Sequence, residues 1–387
     1  MRLTKLLAVA ALAVALAGCT ASVREVMQAE APTAQPVAPG YAFHRIFVAT
    51  TRGRAEDAKA REAFGGDRSA RAAFAYVDVS VPPSHKPGEL SRPRTGKDNP
   101  EKHLTTREIG SYPNPASLQA ALANDAAAKG GRALVFVHGF NTSFDEAVYR
   151  LAQLVHDSDY RGTPLLFTWA SAGKASSYLY DRESATAARD ALEGTLRLAA
   201  ASGASRVDII AHSMGSWVTM EALRQMAIAG DATLGGKLGD VVLASPDIDV
   251  DVFKSQMARI GKPRSPYIVL LSEDDRALRV SSIVAGNQPR LGDYKKASDL
   301  ADYGVSVIDM SKQKGNTGSN HHKFAENTLL LRLLGQRMSD PSSFDGGERT
   351  ITDRISDYAK GLNDQMTRAT NSALSAPTTR VERAALN

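Results

Sequence analysis

Ser213 stands in Ala211-His212-Ser213-Met214-Gly215, directly after the apolar run VDII and at the head of an amphipathic stretch. Small residues two before and two after a serine let a strand and a helix approach closely around a sharp turn, which presents the hydroxyl to an electrophilic carbonyl. Ala211, where Gly is more usual, adds only a methyl. The helix start behind the serine offers free amides and a positive dipole end to a developing negative charge. The competing reading is a serine that only caps the helix. A nucleophilic serine needs a base, and the loop GNTGSNHHKF supplies His321 and His322 late in the chain. An imidazole there can take the serine proton, with His322 the preferred base and His321 the alternative. Neighbouring histidines also invite a metal. Two adjacent residues do not easily ligate one ion, no H-x-x-x-H spacing occurs and no thiolate is at hand, so neither a metal nor an organic cofactor is expected.

A carboxylate must orient that imidazole. Ser272-Glu273-Asp274-Asp275-Arg276 follows the apolar run YIVLL and offers Asp275 or Asp274. Asp247 and Asp249, in ASPDIDVD, are the alternative, although acids before VDVF also suit a helix N-terminus. A second amide donor for an oxyanion, beside that of Met214, is expected from Val137-His138-Gly139-Phe140-Asn141, with the Phe140 N–H best placed. His138 itself reads as a satisfied polar side chain at an ordinary strand-to-helix turn. His44, His85, His103 and His156 are expected at the surface or as caps.

The elements that must position these groups are short apolar, β-branched runs at residues 45–50, 74–81, 133–137, 165–169, 207–211, 241–244, 267–271 and 305–308. The second alternates with period two, as a strand with one wetter face does, and the later ones are near-continuous, as in a parallel sheet covered on both sides. Helical periodicity falls at 115–129, 143–156, 182–201, 215–229, 250–260 and 324–336. The alternation predicts a doubly wound, mostly parallel eight-stranded α/β sheet with an antiparallel N-terminal edge. Residues 245–266 have room for about one helix, so no large cap domain is expected.

The ends read differently. Arg2 and Lys5 precede a short apolar run at 6–16, and Leu16-Ala17-Gly18-Cys19 resembles the lipobox of bacterial lipoproteins. That resemblance implies a signal peptide over 1–18, acylation of Cys19 and a membrane anchor of several acyl chains. Thr20, in place of the Asp that often retains lipoproteins at the inner membrane, implies the outer membrane, facing the periplasm. Residues 19–40 read as the lipidated cysteine and a Pro- and Ala-rich tether, 41–340 as the catalytic domain and 341–387 as a mobile tail. Cys19 is the single cysteine, so no disulfide forms within the chain.

With 43% hydrophobic and 23% charged residues, collagen-like and wholly disordered readings are excluded. The net charge of +5, which loses two units with the leader, is too small to argue for nucleic acid.

Beyond the serine turn, FTWASAGKASSYLYDRESATAARDALE, AHSMGSWVTMEALRQ, LASPDIDVDVF, LSEDDRALRVS, ATTRGR and VSVPPSHKPGEL resemble an esterase/lipase-like family of bacterial α/β-hydrolases, largely uncharacterised and formerly a domain of unknown function. The likeness covers roughly residues 43–335 and departs from the family at Ala170, where Pro is common. It implies an α/β-hydrolase fold and a Ser, Asp, His order of triad residues, with Asp275 the matching acid and His322 the matching base. The expected activity is hydrolysis of carboxylic esters, with small or short-chain acyl groups facing Phe140, Asn141, Trp169, Tyr178 and Tyr180. The alternative is a lipid-tethered binding protein that kept the fold and lost turnover. A small-molecule ester and the membrane are the expected partners; oligomeric state is not legible.

Overall fold

The apolar runs pair into one sheet. The computed structural model describes residues 39–55, 63–92, 99–313, 315 and 318–339, all within one compact unit. The leader, Cys19, most of the tether and the tail lie outside them. The sheet has nine strands in the order β3-β2-β1-β5-β4-β6-β7-β8-β9. These are β1 (Ala42–Arg54), β2 (Phe64–Val81), β3 (Thr105–Tyr112), β4 (Arg132–Val137), β5 (Thr163–Thr168), β6 (Arg206–His212), β7 (Leu238–Ala244), β8 (Tyr267–Leu271) and β9 (Val305–Asp309). β1–β2 and β2–β3 are antiparallel and every other pairing is parallel. The α/β-hydrolase architecture implied by the sequence is thus present, with one strand more than expected. That strand, β3, reads TTREIGSY; its inner positions, Thr105 and Thr106, satisfy their hydroxyls on Ser80 and Tyr149, so no apolar run marks it.

The central strands are buried along nearly their whole length, as helices on both faces require. The helices are α1 (Pro115–Ala128), α2 (Phe144–Asp157), α3 (Tyr178–Ala187), α4 (Arg189–Ala201), α5 (Met214–Ile228), α6 (Val250–Ile260), α7 (Arg276–Val284), α8 (Lys323–Glu326) and α9 (Thr328–Ser339). Local chemistry sets their starts. Asn114 caps α1 with Pro115 in its first turn, and Ser143 with Glu146 forms a capping box on α2. The single helix expected over 182–201 is two: the Ala188 N–H shares the carbonyls of Ser184 and Ala185, which tightens the last turn of α3 and redirects the chain into α4. Likewise Asn327, whose side chain accepts the Leu330 N–H at 2.9 Å, separates α8 from α9. Residues 245–266 hold one helix, α6.

Three of the histidines expected at the surface are packed together. His85 pairs with Asp157 at 2.7 Å, and His44 reaches His156 at 3.3 Å. Burial, reinforced by His156, lowers the His44 pKa to about 4. His103 does cap a turn, accepting the Asn99 N–H.

Candidate functional site

Between β6 and α5 the chain reverses at Ser213, whose φ of 52° and ψ of −121° are costly for a residue with a side chain. The backbone around it holds this strain: Ser213 N–H donates to Ala244 O at 2.9 Å, and its carbonyl accepts from Ser216 and Asp247. Gly215 is required here. A Cβ on it would stand 2.3 Å from His138 O and 2.5 Å from Val137 O, so strand β4 leaves room only for hydrogen. The Ser213 side chain makes no capping bond to α5, which removes the reading of Ser213 as a mere cap. Its hydroxyl has no hydrogen-bond partner among the described residues.

The turn after β4 lies against this serine. A Cβ on Gly139 would be 2.9 Å from Ser213 Cβ and 2.9 Å from His212 Nδ1. His138 is buried beneath the turn, stacked on Trp169 with ring centroids 5.0 Å apart. Burial and the nearby Arg52 charge lower its pKa to about 3, so it stays neutral. The Met214 N–H directly follows Ser213 in the chain, the Phe140 N–H directly follows Gly139, and neither has an acceptor among the described residues.

Asp275 and His321 meet across the mouth of the sheet. The Nδ1–H of His321 donates to Asp275 Oδ2 at 2.7 Å, while Asp275 Oδ1 accepts from the N–H groups of Ala277 and Leu278 at the start of α7. Burial opposes charge on His321, but the charge and hydrogen bond of Asp275, with help from Asp247, outweigh it and raise the pKa above the ordinary histidine value.

The preference for His322 is therefore corrected. Ser319 O is held by the Arg276 N–H, Asn320 turns left-handed at φ 59°, and residue 321 faces the acid. His322 instead packs on the His212 ring at 5.0 Å, where burial holds its pKa well below the usual value.

The other acids are committed elsewhere. Asp274 accepts from Lys323 Nζ at 2.7 and 2.9 Å, from Ser272 and from Asn320. Asp247 accepts from Tyr178 and Ser281 and pairs with Arg290. Two expected lining residues are also corrected. Trp169 is fully buried and donates to His138 O at 3.0 Å, and Tyr180 turns away to Gly66 O. Phe140 does contact Tyr178 edge to face.

Sequence reasoning passes over His212, although it lies inside the serine motif. Its ring contacts those of His321, His322 and Phe324, and its Nε2–H donates to His321 O at 3.1 Å. Arg52, within the ATTRGR segment, is passed over as well. Among the described residues no group of His, Cys, Asp and Glu could hold a metal ion, and no helix is long and apolar enough to cross a membrane.

Among solved structures the chain is similar to Aspergillus fumigatus lipase B, at 16% identity and a TM-score of 0.37, with 55% of each chain covered. It thus spans about half the length of that lipase. A search of the curated proteins finds no match. A family model described as alpha/beta hydrolase of unknown function (DUF900) matches residues 114–337. That range runs from α1 nearly to the end of α9 and contains the serine turn, the Phe140 loop and the Asp275–His321 pair. The sheet order, the strained serine and this match over more than half of the sequence agree: the chain belongs to the alpha/beta hydrolases of that family.

Proposed function

We propose that the protein is a serine hydrolase that cleaves carboxylic esters through an acyl-Ser213 intermediate. The observation that carries this reading is the 2.7 Å contact of His321 with a buried Asp275, against the ring of His212, whose next residue is a serine held at positive φ. Ser213 Oγ attacks the ester carbonyl and passes its proton to His321 Nε2, while the carbonyl oxygen becomes an oxyanion between the N–H groups of Phe140 and Met214. Collapse breaks the bond to the leaving alkoxide, which takes the proton from His321. Water then attacks the acyl-enzyme with the same base, releasing the acid and restoring Ser213. Throughout, Asp275 keeps the proton on Nδ1 and favours the imidazolium. Rotation of the Ser213 hydroxyl toward Nε2 belongs to the substrate complex, since such contacts are commonly loose without substrate.

Small or short-chain acyl esters are the proposed substrates, because residues 245–266 provide one helix and no large lid, and Phe140 and Tyr178 face each other beside the serine. In the envelope, acylation at Cys19 would hold the enzyme to a membrane; loss of palmitate labelling in Cys19→Ala tests that separately. Turnover of p-nitrophenyl esters of rising chain length, together with fluorophosphonate labelling, tests the chemistry. Both vanish in Ser213→Ala if the reading holds. A folded wild-type protein that neither labels nor hydrolyses overturns it.

A further inference from the structure

Arg52 lies in β1 with 1% of its surface exposed, directly below the Phe140 loop. Its Nε donates to Thr168 Oγ1 at 2.8 Å. One terminal nitrogen donates to the carbonyls of Gly65 and Ser171, at 2.9 and 2.8 Å. The other donates to Thr142 O at 2.6 Å and faces His138 Nε2 at 3.4 Å. A guanidinium can only donate, so the histidine nitrogen facing it is an acceptor. Thr168 Oγ1, accepting from Arg52, has its own proton to give to the same Nε2, 2.9 Å away. The ring proton therefore sits on Nδ1, 2.9 Å from Gly139 O.

That placement decides where an amide points. In a planar trans peptide the C=O and N–H are opposed. Drawing Gly139 O toward the His138 ring turns the Phe140 N–H the other way, where it meets no acceptor among the described residues. The next peptides are secured from the opposite sign of charge. Asp181, fully buried, accepts the Asn141 N–H at 3.2 Å and the Ser171 hydroxyl at 2.5 Å, and Ser171 Oγ in turn accepts the Thr142 N–H.

We propose that Arg52 is a positioning residue for the oxyanion hole: it dictates the Nδ1–H tautomer of His138, and His138 thereby aims the Phe140 N–H at the substrate carbonyl oxygen. This rests on the serine-hydrolase reading. With the proton on Nε2 instead, Gly139 O would lose its donor, Arg52 would face another N–H, and the Gly139–Phe140 peptide would be free to turn over.

Two measurements on the full chain test it. Long-range 1H–15N NMR at neutral pH is expected to show neutral His138 as the Nδ1–H tautomer; an Nε2–H tautomer overturns the proposal without any variant. Kinetics with p-nitrophenyl acetate and inhibition by phenylboronic acid, whose serine adduct places an oxygen in the oxyanion hole, are then compared in Arg52→Lys and the near-isosteric Thr168→Val. In both, kcat is expected to fall roughly 10- to 100-fold, with boronate affinity falling in parallel. KM is expected to stay within about three-fold of wild type. His138→Asn, whose side-chain amide can donate from near the Nδ1 position, should keep more activity than His138→Phe. A merely structural role would lower Tm without this pattern. Folded Thr168→Val protein that keeps kcat and boronate affinity within about two-fold overturns the proposal alone. An inert but folded wild type with the Nδ1–H tautomer overturns the hydrolase reading and, with it, the catalytic purpose assigned to the tautomer.

Discussion

Asp275 holds His321 with one carboxylate oxygen and the N-terminus of α7 with the other. The acid is thus immobilised by the helix it caps, and the imidazole inherits that fixed orientation. An Asp275→Asn variant can still cap α7 through its amide oxygen, but its NH2 would then confront Nδ1–H and favour the wrong tautomer. Turnover should fall about 10⁴-fold with little change in Tm, as steady-state kinetics and thermal unfolding would show.

The two neighbouring histidines should separate sharply. His321→Ala removes the base and is expected to lower kcat on the order of a million-fold. His322→Ala removes a ring packed on His212 and should cost less than about ten-fold in kcat, with a fall in stability of about 1–2 kcal/mol. Equal losses in the two variants would sink the assignment of the base to His321.

Spacing alone could not make that choice. HHK offers two imidazoles one residue apart, and the decision lies in the left-handed Asn320 and in a backbone bond from Arg276 to Ser319, neither of which the residue types announce. The parallel strands were legible because burial on both faces leaves continuous apolar runs. β3 was not, because an edge strand that satisfies its inner positions with threonine hydroxyls carries no such run. α7 was missed for a related reason: Asp275 reads as an acid awaiting a histidine, and it is also the cap that starts the helix. Arg52 was hidden by its place in a strand, where an arginine ordinarily points to solvent.

The pH dependence of activity follows from His321. Its pKa is raised by Asp275, and only the neutral imidazole accepts the serine proton. kcat/KM should therefore be full at alkaline pH and fall tenfold per unit below a midpoint lying above the ordinary histidine value of about 6.5. A midpoint below that value would contradict the charge environment described. Stability runs on other groups. His138, His212 and His322 have folded pKa values lowered chiefly by burial, so the unfolded chain binds protons that the folded chain refuses. Their contribution is complete above about pH 6.5 and is lost as pH falls below it, at about 2 kcal/mol from His138 alone by pH 5. His321, with a raised folded pKa, acts oppositely: its contribution is full below about 6.5 and is lost as pH rises through its folded value. His44 and His156 are lowered in the same way, so with five groups against one, denaturant midpoints should drop between about pH 6.5 and 5.

Glycine replacements distinguish close approach from helix propensity. At Gly215 an added Cβ would meet two backbone carbonyls of the β4 end at 2.3 and 2.5 Å, and neither can yield without moving Ser213 or the Phe140 loop. Gly215→Ala should cost about 3 kcal/mol or more and abolish labelling of Ser213. Gly194 lies inside α4, where an added Cβ would meet nothing within 4 Å. Gly194→Ala should therefore stabilise by up to about 1 kcal/mol and leave activity unchanged. Urea unfolding of the two variants, read beside their labelling, checks both directions at once.

At the opposite end of the strands, Arg337 of α9 makes a two-pronged contact with Asp240, both distances 2.8 Å. Asp240 is fully buried and is also approached by Arg206, which with Arg132 serves the equally buried Asp208. α9 is the last described helix, and this contact ties it to strand β7. Arg337→Met would leave a buried carboxylate short of its principal partner, for a cost of roughly 3 kcal/mol. Pairing it with Asp240→Asn, which removes the stranded charge, should recover part of that loss, whereas independent effects would simply add. Because this cluster is at the other end of the strands from Ser213, turnover per folded molecule should be unchanged in both variants, and a fall in kcat would show that α9 reaches the site by a route other than stability.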